Sequence, residues 1–197
     1  MNKDIRICFI GDSFVNGTGD ETALGWAGRL CAAANRQSQV TCYNLGIRRD
    51  TSHDILKRWA HECVPRLPPY CDGRIVMSFG VNDTLMENGR LRVSTQSSLT
   101  NIKQLLHDTR KYEVIAVGPP PVADDGHNVR IWSFSGAFAL EAKAARIPYI
   151  DLFTPLSAHE AYKQEVQSND GAHPKSTGYA LMTQLIGSSP EWWFGKS

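Results

Sequence analysis

The feature that most constrains the fold is a short apolar run close to the beginning of the sequence. Residues 5–10 read Ile-Arg-Ile-Cys-Phe-Ile, so only Arg6 interrupts the apolar side chains. A strand with apolar side chains on both faces must be covered on both faces, as at the centre of a parallel sheet. The run continues into Gly11-Asp12-Ser13, and open α/β sheets bind their ligands at this carboxyl edge. The sequence therefore predicts a ligand-binding turn at Ser13.

Further strand-like runs follow, and segments with helical spacing separate them. The strand-like runs are residues 40–45, 75–79, 114–117 and 148–152. The helix-like segments are residues 23–35, a segment capped by Thr51 or Ser52, and residues 95–110, 134–145 and 174–186. Such alternation indicates right-handed crossovers between parallel strands. We therefore expect an α/β fold, a flavodoxin-like three-layer α/β/α sandwich with a central parallel sheet of about five strands.

The length of the chain indicates the number of domains, and its charge balance indicates which kinds of partner are disfavoured. With 197 residues, we expect one domain over residues 1–197 with a sizeable core. The 21 Lys and Arg side chains nearly balance the 20 Asp and Glu side chains, which argues against a nucleic-acid or anionic-membrane surface. We find no signal peptide and no apolar segment of membrane-spanning length. A small molecule is therefore the expected partner, and association into a homo-oligomer stays open.

The cysteines suggest a redox state. There are five, an odd number without CxxC spacing: Cys8, Cys31, Cys42, Cys63 and Cys71. Three of them fall in apolar strand or helix contexts, where a thiol packs as a small hydrophobic group. We therefore expect a reduced, cytoplasmic protein without structural disulfides.

Two segments outside the predicted strands and helices are candidates for contact with a substrate or a partner. Residues 119–121 are all proline and open a predicted loop that reaches Trp132, long enough to be a candidate for substrate contact. Near the C-terminus, Trp192-Trp193-Phe194 could form a membrane or partner patch. Because nothing basic accompanies these aromatic residues, we expect them to pack back onto the domain.

Four short segments fall on one edge of the predicted sheet. They read Gly11-Asp12-Ser13-Phe14, Asn44-Leu45-Gly46, Gly80-Val81-Asn82-Asp83 and Asp170-Gly171-Ala172-His173-Pro174. In type and order they resemble the four blocks of the GDSL esterases and lipases, also called SGNH hydrolases, which contribute a serine, a glycine, an asparagine and a histidine. The resemblance spans nearly the whole chain and implies an ester-hydrolysing enzyme. The departures are Phe14, where the family name has leucine, and Arg48-Arg49; they concern the substrate rather than the chemistry.

The same residues can be interpreted from their chemistry. A hydroxyl is a poor nucleophile at neutral pH, so Ser13 needs a base, and the imidazole of His173 suits that role. Asp170 can accept a hydrogen bond from the other ring nitrogen and fix the tautomer. The backbone N–H groups of Ser13 and Gly46 and the side-chain amide of Asn82 can converge on an oxyanion. We therefore expect an acyl-enzyme at Ser13.

Three arginines are candidate substrate contacts. Arg48 and Arg49 follow the expected oxyanion glycine, and Arg130 lies in the predicted loop after the fourth strand. A guanidinium suits a carboxylate or phosphate on a substrate. The alternative is a solvated loop, or a structural ion pair of Arg49 with Asp50 or another acid. No long amphipathic lid is present, so we expect small, soluble carboxylic esters or thioesters.

Two rival functions use the same edge of the sheet. A metal-dependent hydrolase could take Asp12, Asp83, Asp170 and His173 as ligands. A flavodoxin-like protein could bind a nucleotide or flavin there, but no G-x-G-x-x-G follows the first strand and no P-loop lysine is present. The other five histidines share no short ligand spacing. We therefore expect neither a metal nor a cofactor.

Overall fold

The structure is a computed structural model that describes residues 3–195. Its strands are β1 (Ile5–Gly11), β2 (Val40–Gly46), β3 (Asp72–Ser78), β4 (Met86–Glu87), β5 (Arg90–Leu91), β6 (Glu113–Val117) and β7 (Tyr149–Ile150). Its helices are α1 (Ser13–Asn16), α2 (Gly25–Ala34), α3 (Ser52–Cys63), α4 (Thr95–Thr109), α5 (Asp125–Ala145), α6 (Phe153–Ser157), α7 (Glu160–Ser168) and α8 (Ser176–Gly187). A short 3₁₀ turn covers Val64–Arg66.

Five of the strands form one parallel sheet in the order β2-β1-β3-β6-β7. The register pairs Gly11 at the end of β1 with Gly46 on one side and Ser78 on the other. All three strands therefore end at the same level. The predicted five-stranded parallel sheet is confirmed, and its carboxyl edge collects the turns that follow β1, β2 and β3.

The apolar run in β1 is explained by helices on both faces of the sheet. Ile7 and Phe9 pack in one core with side chains of α2 and α8. Cys8 and Ile10 point the other way and pack with side chains of α3, α4 and α5. Each of these four β1 side chains is at most 2% exposed. Because both faces are covered, the strand needs no polar alternation, and the three-layer α/β/α prediction is confirmed.

The segment predicted as a loop up to Trp132 is helical in its second half. Helix α5 begins at Asp125, capped by Asp124, whose side chain accepts a hydrogen bond from the N–H of His127. Arg130 consequently lies on a helix and not in a loop. The three prolines follow β6 and keep the first half of the segment non-helical. Beyond them, the capping aspartate begins a helix where the sequence pattern had indicated a loop. Helices α6 and α7 and the β4–β5 hairpin had no counterpart in the sequence prediction.

The expectation of no disulfide is wrong, because Cys31 and Cys42 are joined. Cys31 lies on α2 and Cys42 on β2, the edge strand, with their Cα atoms 6.4 Å apart. That separation is within the usual range for a disulfide. The apolar residues around these two cysteines reflect the packing of α2 against β2, and that packing brings the two sulfur atoms together. Cysteine usage consequently no longer supports a cytoplasmic location.

The aromatic residues near the C-terminus pack against the domain, as expected. Trp192 is buried and lies 6.4 Å from the ring of Phe9, centroid to centroid. The guanidinium of Arg74 lies 5.2 Å from the ring centroid of Trp193 and 5.3 Å from that of Phe194. In the part of the chain that the structure describes, no helix is long and apolar enough to cross a membrane.

Candidate active site

Ser13 lies in the turn that leaves the carboxyl end of β1. Asp12 caps α1 by accepting the N–H of Phe14 at 3.0 Å, which places Ser13 at the first position of the helix. Gly11 makes this turn fit, because a Cβ atom at this position would lie 1.9 Å from the carbonyl oxygen of Ser78 on β3. The serine side chain is thereby fixed at the edge of the sheet, between neighbouring strands.

Ser13, His173 and Asp170 form a continuous chain of hydrogen bonds. The Oγ atom of Ser13 is 2.7 Å from Nε2 of His173, and Nδ1 of His173 is 2.7 Å from Oδ2 of Asp170. The second carboxylate oxygen of Asp170 accepts the backbone N–H groups of Ala172 and His173, at 3.0 and 2.8 Å. The structure thus joins residues that are 160 positions apart in the sequence.

The hydrogen bonds to Asp170 also set its charge. Burial by itself would raise the pKa of this carboxyl, but the backbone and ring N–H donors of His173 and the N–H of Ala172 lower it below its ordinary value. Asp170 is therefore ionised at neutral pH and acts only as an acceptor. Nδ1 of His173 must then carry the proton, which leaves Nε2 free to accept the hydroxyl proton of Ser13.

Packing holds the histidine in place. The ring of Phe14 lies 4.8 Å from the imidazole ring, centroid to centroid. The side-chain amide of Asn169 donates to the carbonyl of His173 at 3.0 Å. The loop after α1 closes on this segment at Gly19, where a Cβ atom would lie 2.7 Å from Nδ2 of Asn169. Gly19 also has a φ of +91°, which favours glycine. Both the close contact and this backbone conformation therefore require glycine here.

Gly46 lies against the Ser13 turn, but its N–H is occupied. A Cβ atom at Gly46 would lie 2.2 Å from the backbone nitrogen of Asn16 and 2.8 Å from the carbonyl of Asp12, so only glycine fits. The N–H of Gly46 donates to Oδ1 of Asn44 at 3.0 Å. The N–H of Ser13, by contrast, belongs to the first residue of a helix and has no acceptor within that helix.

Asn82 follows β3 and approaches the same turn. Its Nδ2 donates to the carbonyl of Asp50 at 3.0 Å and lies 3.5 Å from Oδ2 of Asp12. An amide NH₂ has two hydrogens; one bonds to Asp50, and the other makes the longer hydrogen bond to Asp12. The structure therefore brings Gly46, at the end of β2, and Asn82, which follows β3, next to Asp12, the residue before Ser13.

Asp83, one residue further on, faces away from Ser13. It accepts the N–H of Ser52 at 2.9 Å and the hydroxyls of Ser52 and Ser98, which lie on α3 and α4. Burial raises the pKa of this carboxyl. The ligand set of the metal-dependent alternative does not converge. Over residues 3–195, no three His, Cys, Asp or Glu side chains are arranged to share a metal ion.

The three candidate substrate arginines have different surroundings. Arg49 pairs with Glu87 on β4, with 2.6 Å between Nη2 and Oε1. Arg130 donates to the carbonyls of Thr84 and Gly126, at 2.9 and 2.8 Å. Arg48 is exposed, and no ion pair of its side chain is found within the described part of the chain. Arg49 and Arg130 thus have protein partners, which favours the structural alternative for these two.

A cavity of about 310 Å³ opens beside the hydrogen-bonded chain. Its lining includes Val81, Leu85, Val122 and Ala172, with Asn82 and Asp170 among its polar members. A larger groove of about 1160 Å³ lies along α5 and α7, and Val122 and Ala123 border both spaces. The smaller cavity thus reaches the site at Asn82 and Asp170, and much of its lining is apolar.

Asp12 is a feature that sequence reasoning did not assign to this site except as a metal ligand. Its carboxyl is 1% exposed, and burial raises its pKa to about 7. The charges of Asp83 and Asp50 raise the pKa further, whereas the N–H of Phe14 opposes them. No sequence pattern distinguishes a buried carboxyl in this turn from a solvated one.

We expect Asp12→Asn to stabilise the protein more at pH 8 than at pH 5. Because the pKa of Asp12 is higher in the folded than in the unfolded state, the folded protein binds the proton more tightly. Its free energy of unfolding therefore falls as pH rises from about 4 to about 7. Asparagine keeps the cap on Phe14 and removes this loss, a difference on the order of 2 kcal/mol between the two pH values. Urea unfolding of both proteins at each pH measures it.

Asp151→Asn is the matched control, since Asp151 is exposed and accepts the N–H of Phe153 at 2.9 Å with the same spacing. The pH dependence of the Asp12→Asn effect is read against that of this variant. An Asp12→Asn effect that does not depend on pH would contradict a raised pKa at Asp12.

Comparison with known proteins agrees with this geometry. The GDSL-like lipase/acylhydrolase family model matches residues 9–181. A lipase/acylhydrolase from Enterococcus faecalis superposes with a TM-score of 0.74 at 26% identity, over 92% of this chain and 93% of that chain. Axe2, an acetylxylan esterase from Geobacillus stearothermophilus, has a TM-score of 0.76 at 16% identity, over 100% and 98% of the chains.

LAE5, an α/β hydrolase from the metagenome of Lake Arreo in Spain, gives a TM-score of 0.76 at 17% identity, over 100% of this chain and 99% of that chain. The two relatives below 25% identity show the fold alone. No curated protein sequence matches the chain. The family match covers the segments that carry Ser13, Gly46, Asn82 and His173. The chain belongs to the GDSL-like lipase/acylhydrolase family and is an ester-hydrolysing enzyme, as the four sequence segments predicted.

Proposed function

We propose that this enzyme cleaves carboxylic esters or thioesters of small, soluble molecules through an acyl-enzyme at Ser13. The observation that carries the proposal is the unbroken chain from the Ser13 hydroxyl through His173 to Asp170, with 2.7 Å at each step. A hydroxyl, an imidazole and a carboxylate in this order are the parts that acyl transfer needs.

The reaction would proceed in two halves. Nε2 of His173 takes the proton as Oγ of Ser13 attacks the carbonyl carbon of the substrate, and a tetrahedral oxyanion forms. The proton then passes to the leaving oxygen or sulfur, the carbon–oxygen or carbon–sulfur bond breaks, and the acyl group stays on Ser13. Water attacks the acyl group with the same base, and Ser13 regains its proton as the acid leaves. Asp170 stabilises the imidazolium that exists between these proton transfers.

The oxyanion would be met by the N–H of Ser13, the second hydrogen of the Asn82 amide and the N–H of Gly46. Donors already fixed by the fold cost no reorganisation when the charge develops. Two of the donors require an adjustment. The N–H of Gly46 must turn from Asn44 or be shared with the oxyanion, and the second hydrogen of the Asn82 amide must do the same with respect to Asp12.

We expect Asn82→Ala to lower kcat by about 10²–10³-fold with little change in KM, because an oxyanion donor contributes mainly in the transition state. Steady-state kinetics with one activated ester provide the measurement. Asn35→Ala is the control: the side-chain oxygen of Asn35 accepts the N–H of Val40 at 3.1 Å, at the opposite end of β2. Unchanged kcat with a lower melting temperature would assign Asn82 to the support of Asp50 alone.

The size of the acyl group follows from the cavity beside Asn82. At about 310 Å³ it is at the lower end of small-molecule pockets and suits a short acyl chain. The acetylxylan esterase that shares the fold has been crystallised as catalytic mutants, in which a serine or a histidine is replaced by alanine. That supports a serine and histidine mechanism on this fold and is compatible with a small acyl group.

A panel of aryl esters and thioesters with acyl chains of two to ten carbons tests the proposed function. We expect kcat/KM to be greatest for chains of about two to four carbons and to fall for longer chains, which would have to extend from the cavity toward the groove along α5 and α7. Hydrolysis should continue in the presence of a chelator. Activity that is lost with a chelator and resists serine reagents would support the metal-dependent alternative, and a preference for long chains would contradict the proposed substrate class.

A further inference from the structure

Arg58 on α3 reaches the carboxyl edge of the sheet from behind the candidate active site. Its Nη2 donates to the carbonyl of Gly11 and to the carbonyl of Leu45, each at 2.9 Å. Its Nε donates to Oδ2 of Asp50 at 2.6 Å. The side chain is 16% exposed, and that of Asp50 is 13% exposed. One guanidinium therefore ties the ends of β1 and β2 to the segment that precedes α3.

Each of these contacts lies next to one of the expected oxyanion donors. Gly11 precedes Asp12 and Ser13, and Leu45 directly precedes Gly46. The main-chain carbonyl of Asp50 accepts the Asn82 amide at 3.0 Å. The relative positions of the three donors therefore depend on groups that Arg58 contacts.

We propose that Arg58 is a positioning residue that sets the geometry of the oxyanion donors at Ser13, Gly46 and Asn82. The proposal rests on the proposed function, because it requires an oxyanion at this edge. Arg58 itself does not touch the reacting atoms; it acts through the Gly11 and Leu45 carbonyls and through Asp50.

The chemistry of the side chain supports a role in geometry rather than in stability. A partly buried ion pair contributes little net stability, because desolvation offsets the Coulomb attraction. Nη1 of Arg58 is buried and has no hydrogen-bond partner among residues 3–195, which adds a further cost to keeping this residue. A planar guanidinium is suited to hold two carbonyls and a carboxylate at fixed angles, whereas a lysine ammonium lacks that fork.

A double-mutant cycle between Arg58 and Asn82 tests the proposal. We expect Arg58→Met to lower kcat about 10- to 100-fold with KM changed less than twofold, since misplaced donors weaken transition-state binding. In the Asn82→Ala background the same change should lower kcat by a smaller factor but still measurably, because Arg58 no longer acts through Asn82 yet still positions the Ser13 and Gly46 donors. Arg58→Lys should not restore kcat.

Arg74→Met is the matched control. Arg74 is 13% exposed and pairs with Asp72, with 2.9 Å between Nη2 and Oδ2, but it lies toward the amino end of β3. Its loss should lower the melting temperature and leave kcat within twofold. If Arg58→Met does not fold, Asp50→Asn takes its place: it keeps the carbonyl that binds Asn82, removes the carboxylate that orients Arg58, and should lower kcat at least threefold.

The outcomes separate the two proposals. An Asn82→Ala variant with normal kcat would overturn the oxyanion hole and, with it, the role of Arg58. If Asn82→Ala lowers kcat as expected but Arg58→Met retains normal kcat, the Arg58 proposal alone is wrong. An effect of Arg58→Met that is fully additive with that of Asn82→Ala would contradict the part of the proposal that concerns Asn82. A normal kcat for Asp50→Asn would overturn it in the same way.

Discussion

Replacing Ser13 by alanine is expected to lower kcat at least about 10⁴-fold, because the nucleophile of the proposed acyl-enzyme is lost and only binding and oxyanion stabilisation remain. The fold should tolerate the change. The Ser13 side chain is buried and its hydroxyl bonds to His173, so the variant loses one oxygen atom and one hydrogen bond. The melting temperature should accordingly stay close to that of the unsubstituted protein, and the kinetic effect should not reflect unfolding.

Covalent labelling gives the second readout for Ser13. A fluorophosphonate should add once to the unsubstituted protein, on the peptide that contains Ser13, and should not add to Ser13→Ala. Ser135→Ala is the control, since Ser135 is also buried and its hydroxyl lies 2.7 Å from that of Tyr149, away from the site. It should keep both activity and labelling. An active Ser13→Ala protein, or an adduct on another peptide, would contradict the proposal.

The sheet could be predicted because its signal lies within short stretches of sequence. Apolar runs at β1, β3 and β6 are buried on both faces, so their composition alone indicates parallel strands. The helical second half of the segment after β6 was not predicted, because the local sequence pattern there indicated a loop. Three prolines dominate its pattern, although Asp124 is a suitable helix cap and Ile131, Phe134 and Phe138 have helical spacing.

The candidate site was predictable where each residue immediately follows a strand or begins a helix. Ser13, Asn82 and the Asp170–His173 pair all lie in such turns, and parallel topology brings those turns to one edge. Arg58 has no such signal, because it lies inside a helix and its partners are backbone carbonyls of distant strands. The Cys31–Cys42 disulfide was missed for a similar reason: it depends on the packing of α2 against β2.

The second large effect is expected for Asp170→Asn, which should lower kcat/KM about 10³–10⁴-fold. Asparagine can still accept the N–H groups of Ala172 and His173, so the turn should persist. Its amide would present a donor to Nδ1 of His173 in place of the carboxylate. The imidazole would then carry its proton on Nε2 and could not accept the hydroxyl proton of Ser13.

The pH dependence distinguishes this role from a structural one. The pKa of Asp170 is lowered, so its charge and the stability that it contributes are present above the carboxyl range and are lost only as pH falls through that range. A decline of kcat/KM between pH 8 and pH 5 therefore does not come from Asp170. A histidine base has to be neutral to act, and Asp12, with a pKa of about 7, is a second group that changes charge in this range. Asp170→Asn separates the two groups: an acid limb set by a histidine base should move to lower pH when the counter-charge is lost, whereas a limb set by Asp12 should stay in place.

Asp108→Asn provides the control for that measurement. Asp108 also pairs with a histidine, with 3.1 Å between Nδ1 of His107 and Oδ1, but this pair lies on the exposed surface of α4. Its replacement should leave both the rate and the acid limb unchanged. If Asp170→Asn behaved like Asp108→Asn, the carboxylate would serve only to hold the turn before α8, and His173 would have to be oriented by its packing against Phe14 and by the bond from Asn169 to its carbonyl.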